Sequence, residues 1–144
     1  MAENKYIISV VGTQVIDGEK DKIEVITTGD YITKNGHRYI RYTEYDNENP
    51  EVYTDTIVKV EDDTKVTITR RGEHPSRLIL QKEVRHQCHY STIMGDLMMG
   101  VYTKKIDHNL TDKGGYIKVR YQLDFFCDLV SDNEFHINVK EKEE

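Results

Sequence analysis

The residues of this chain best suited to chemistry are two opposite charges, Glu44 in IRYTEY and Arg70 in VTITRR. Each follows a run that alternates apolar and polar residues. In extended backbone, alternate side chains share a face, so Glu44 points with Ile40 and Tyr42, and Arg70 with Val66 and Ile68. If those faces line an apolar interior, the two charges should meet, because an unpaired buried charge is very costly. A bidentate arginine–carboxylate pair is the natural solution. It either holds structure together or anchors the carboxylate or phosphate of a ligand. Tyr39 and Arg41 are the other choice of inward face. A third use, Arg70 holding an anionic substrate with Glu44 as general base, is weaker, since a salt-bridged carboxylate is a poor base at neutral pH.

His86, Cys88 and His89, with Cys127 further on, mix soft and imidazole ligands of the kind zinc takes. On a strand, however, His86 and Cys88 share a face while His89 points away, and no C-x2-C or H-x3-H spacing completes a tetrahedral set. The expectation is a buried thiol between two surface imidazoles, with no metal and no cysteine nucleophile. Met94, Met98 and Met99 accompany ten tyrosines in a chain with no tryptophan and three phenylalanines. These adaptable side chains either line a plastic ligand cavity or fill the core. Tyr90, Met99 and Tyr121 therefore join Glu44 and Arg70 as candidate ligand-binding residues. No phosphate-binding loop, nucleophile elbow or HExxH helix is present, and no cofactor is expected. Asp62-Asp63 and the acidic stretch 128–134 lack the spacing of a calcium loop.

The elements that must position these residues read as strands. His86 to Ile106 is two extended segments folded at Met94-Gly95-Asp96, with Leu97, Met99, Val101 and Thr103 on one face. Asp17-Gly18 and Asn35-Gly36 are hairpin turns, and Gly29 marks a bend or bulge in a segment too long for an ordinary strand. Val52 to Glu61 and Lys65 to Arg71 flank the turn at Asp62-Asp63. Tyr116 to Phe126 alternates most cleanly, with Ile117, Val119, Tyr121, Leu123 and Phe125 in phase. Ser131-Asp132-Asn133 reads as the last turn, before Phe135, Ile137 and Val139. No window repeats apolar residues at helical spacing. The fold class predicted is all-β: one domain over residues 1–144, a single antiparallel up-and-down β-barrel of about eight to ten strands. A sandwich is the alternative; closure is favoured because it removes exposed edges.

The totals narrow the partners. Against 26 acidic residues stand 20 lysines and arginines, a formal charge of -6. That balance argues against nucleic acid, which needs a basic groove, and against anionic membrane. Two cysteines are too few for a disulfide framework. With no stretch near the length of a membrane span, the expectation is a soluble cytoplasmic protein with reduced thiols.

Taken in order, Tyr42-x-Glu44, Arg70-x-Gly72, Tyr90-x-Thr92-x-x-Gly95-x-Leu97, Thr103-x-x-Ile106, Gly115 and Tyr121 resemble the YwiB-like family of small bacterial proteins. The resemblance covers nearly the whole chain. It implies a lipocalin-like (calycin) barrel with no assigned enzyme activity and no catalytic residue to carry over. The expected function is non-enzymatic binding of a small, partly apolar ligand, anionic where Arg70 acts, inside the barrel. The alternative is a solid-cored interaction or oligomer-forming module, monomer or homodimer. It would expose an apolar patch of Ile57, Ile79, Ile93, Met98 and Tyr102.

Overall fold

The computed structural model describes residues 6–46, 48–62, 64–73, 75–92, 95–125 and 128–142, with backbone alone at 90–92 and 128–129. Ten strands follow one another: β1 (Tyr6–Ile16), β2 (Glu19–Lys34), β3 (His37–Tyr45), β4 (Tyr53–Val60), β5 (Lys65–Arg71), β6 (Ser76–Gln81), β7 (Arg85–Thr92), β8 (Gly95–Thr111), β9 (Gly114–Phe125) and β10 (Asp128–Glu141). Each pairs antiparallel with its neighbours in the chain, and β10 returns to β1, so the sheet closes into an up-and-down barrel. The two-residue turns carry the expected left-handed backbone, φ 50° and 80° at Asp17-Gly18 and 54° and 80° at Asn35-Gly36. These are the values that suit the twist of a tight hairpin.

The alternation sends one face of every strand inward. Ile8, Ile40, Val58, Val66, Leu80, Val101, Ile117, Val119 and Ile137 are buried to 1% exposure or less. Ile40 and Tyr42 are both buried, whereas Tyr39 is half-buried and Arg41 exposed, which settles the phase of β3. Glu44 and Arg70 thus belong to the inward rows.

Two ladders are thin. Among the described residues β2 pairs with β3 only from Gly29↔Tyr42 to Lys34↔His37, leaving Glu19–Thr28 paired with β1 alone. Gly29 is needed there: a Cβ on it would strike the Arg41 carbonyl oxygen and the Ile8 side chain. The other thin ladder joins β6 to β7 through Ser76↔Tyr90.

Three expectations are corrected. Ser131–Asn133 is not a turn; it lies within β10, paired with Leu123, Gln122 and Tyr121 of β9, and the irregularity falls between Leu129 and Ser131. β8 does not end at Ile106 but runs to Thr111, and its register shifts between Thr103 and Lys105. The bulge moves the buried face from odd positions (Val101, Thr103) to even (Ile106). Of the apolar patch, Met98 is exposed, but Ile57, Ile79 and Tyr102 are half-buried, and Ile93 lies outside the described residues. The large exposed aliphatics sit on β2 instead: Ile23, Ile26 and Ile32.

Candidate functional site

The strand registers put Tyr42, Thr56 and Arg70 in one row across β3, β4 and β5, with Glu44 and Thr54 in the next row toward the β3–β4 loop. This is the end of the barrel where the β2–β3 ladder has already parted. Tyr42 is 4% exposed, and its phenol is pushed up to about 12. Burial is the largest cause, followed by the nearby Glu44 carboxylate; Arg70 and the Thr56 hydroxyl pull the other way. Thr56 Oγ1 is itself buried without a well-formed hydrogen bond among the described residues. Glu44 and Arg70 therefore converge on one phenol.

The expected Glu44–Arg70 pair does not form. No ion pair within 4 Å joins them among the described residues, and the registers explain why: the two are separated by β4 and offset by one row. Both are half-buried, so water at the mouth removes the need to pair. The opposite end of the barrel makes the contrast. Arg38, in phase with Ile40 and Tyr42, donates to Tyr31 Oη (3.1 Å), Thr33 Oγ1 (3.0 Å) and Asp112 Oδ1 (3.2 Å), and its guanidinium stands 5.9 Å from the Tyr31 ring centroid. One inward arginine has three partners, all through Nη1; the other, Arg70, makes no hydrogen bond or ion pair among the described residues.

The remaining candidates are dispersed. Met99 packs in the core opposite Cys88. Tyr121, half-buried, sits edge-on to Phe135 with centroids 6.1 Å apart, and β9 lies five strands around the barrel from β4. Tyr90 pairs through its backbone with Ser76 and Leu97; its side chain lies outside the described residues. Tyr42 is the residue sequence reasoning passed over as a site member, although it stands in phase between Ile40 and Glu44.

Cys88 is buried at the β6–β7 seam, where its Sγ accepts the Ile79 N–H at 3.4 Å. Burial pushes its thiol up, opposed by that N–H and by Arg77. His86 bonds Gln81 (Nε2 to Oε1, 2.8 Å) and His89 faces Asp96 at 3.5 Å. Cys127 and Met94 lie outside the described residues, and among those described no three of His, Cys, Asp or Glu gather as metal ligands. A cleft of about 510 Å³ opens on the outer wall, bounded by Thr13, Val15, Lys20, Lys104, Lys105, Arg120, Tyr121, Asp132, Asn133 and Glu134.

Residues 8–137 match the family described as Domain of unknown function (DUF1934). The chain belongs to the DUF1934 family. The crystal structure of the ywiB protein from Bacillus subtilis superposes on it with a TM-score of 0.83, at 23% identity, over 96% of this chain and 92% of that one. The YwiB-like resemblance is thus borne out, and the likeness extends the barrel to this DUF1934 chain as a fold. No curated protein matches it. No helix among its described residues is long and apolar enough to cross a membrane.

Proposed function

We propose that this DUF1934 protein is a non-enzymatic, lipocalin-like cytoplasmic binding protein for a small, partly apolar molecule with an anionic group. The group docks at the barrel mouth on Arg70, beside Tyr42 and Glu44. The observation that supports this reading is Arg70: a half-buried inward guanidinium with no ion pair among the described residues, beside a phenol that also feels Glu44. A carboxylate or phosphate would satisfy it bidentately in place of water. The neutral Tyr42 hydroxyl offers a hydrogen bond beside it. Met99 and Tyr121 contribute apolar wall further round, with Tyr90 as a flanking residue. A reduced-thiol compartment suits the free, buried Cys88.

Displacement of a fluorescent anionic amphiphile, read on the wild type and on Arg70→Ala, tests this. Loss of a charge-assisted bond costs about 1.5–3 kcal/mol, so binding should weaken by roughly ten- to a hundredfold while the melting temperature barely moves. Equal binding by both proteins would rule out the anchor.

A second reading, a self-associating module, is favoured by the free edge of β2. Among the described residues Glu19–Thr28 (EKDKIEVITT) is paired on one side only, with Ile23 69% and Ile26 75% exposed. Antiparallel pairing with a second copy centred on Ile23 sets each Lys22 opposite a Glu24. Sedimentation equilibrium distinguishes it: dimers lost on Ile23→Lys support the reading, and a monomer at every concentration excludes it.

A further inference from the structure

We propose that the outer-wall cleft is a second, separate site, for a small phosphorylated molecule carrying at least two negative charges. It is independent of the barrel mouth. The cleft spans the outer surface from β2 to β8, across β1, β10 and β9. Four ladder spacings of ~4.8 Å make that roughly 19 Å, room for a ligand larger than a lone phosphate.

Its charge is anomalous for this protein. In a chain of formal charge -6, Lys20, Lys104, Lys105 and Arg120 meet around one concavity. The local carboxylates do not balance them. Glu134 already holds Arg120 (3.2 Å) and Lys118 (3.6 Å), and Asp132 accepts the Gln122 amide at 2.9 Å. Lys20, Lys104 and Lys105 have no ion pair among the described residues.

The β8 bulge makes this cluster. Without it, Lys104 and Lys105 would alternate across the sheet; the register shift leaves both bordering the same cleft, with Lys105 directly opposite Arg120. Like charges directly opposite in an antiparallel ladder are destabilising. An anion seated between them removes that repulsion and turns it into binding. The Thr13 hydroxyl at the cleft wall supplies a neutral donor of the kind that completes phosphate coordination.

Inorganic pyrophosphate, titrated calorimetrically at low ionic strength, is the probe. Expected are one site per chain, weakening with salt, at least tenfold loss in Lys104→Glu/Lys105→Glu, and no change in Arg70→Ala. Lys105→Glu alone should raise the melting temperature of the unliganded protein, since it pairs with Arg120 instead of opposing it. Pyrophosphate binding equal in the double variant, no binding by the wild type, or loss of it in Arg70→Ala would overturn the proposal. So would a lower melting temperature for Lys105→Glu. Displacement by a short single-stranded oligonucleotide at lower concentration than pyrophosphate would overturn the small-molecule assignment.

Discussion

Raising the pH through the titration of Tyr42 probes the mouth residues without any ligand. Its phenol is pushed from the ordinary tyrosine value near 10 up to about 12 in the folded protein, which corresponds to roughly 3 kcal/mol. The folded protein holds this proton more tightly than the unfolded chain. The stabilisation is therefore complete below pH 10 and is lost as pH climbs from 10 toward 12. Carbon-13 NMR of tyrosine-labelled protein follows the ring directly, and urea unfolding across the same window reads the energy, with Tyr42→Phe as the reference lacking this slope. The two neighbours act with opposite signs. Glu44→Gln should bring the phenol down, because a negative neighbour is gone; Arg70→Gln should push it higher still. Tyr42 titrating at its ordinary value, or both variants moving it the same way, would refute the convergence of Glu44 and Arg70 on this ring.

Other outcomes follow from the same packing. Gly29→Ala should lose about 2–3 kcal/mol, roughly 8 °C in melting temperature, because the new Cβ meets the Arg41 backbone carbonyl and β2 must part from β3; a stability gain, the usual result of replacing a strand glycine, would contradict it. Asp124 takes Arg85 bidentately (Nε to Oδ2 3.0 Å, Nη2 to Oδ1 2.5 Å) across Gly100, whose missing side chain leaves the space. Arg85 is a third exposed, so Asp124→Ala should cost about 2 kcal/mol by thermal or urea unfolding, less than a fully buried pair; no measurable loss would show the pair to be ornamental. In a Cys127→Ser background, the Cys88 thiol should react with a disulfide reagent far more slowly when folded than in urea, since it is buried and its thiolate is disfavoured; equal rates would mean the β6–β7 seam opens freely.

Much of this was legible in the residues. The in-phase row Ile117, Val119, Leu123 is buried as the alternation requires, and Asn35-Gly36 turns where its chemistry demands. What escaped detection shares a cause: local pattern records which face a residue takes, not where a ladder stops. Alternation sets Glu44 and Arg70 on the inward face, yet their failure to pair depends on β4 lying between them, a fact of register. The thinning of the β2–β3 ladder beyond Gly29 left Ile23 in water although it keeps step with buried Tyr31. The β8 bulge carries no motif of its own; only the slip from Thr103 to Ile106 betrays it, and the cationic cleft went unseen with it. Ser131-Asp132-Asn133 shows the reverse error, turn-forming residue types held in a strand by pairing on both sides.

The binding role of the mouth is tested most directly by native mass spectrometry of gently purified protein beside its Arg70→Ala variant, each offered a panel of anionic amphiphiles. The wild type should carry an adduct of discrete mass that the variant, equally folded by its charge-state envelope, does not retain. The same adduct on both chains, or a wild type that stays bare throughout the panel, would contradict it.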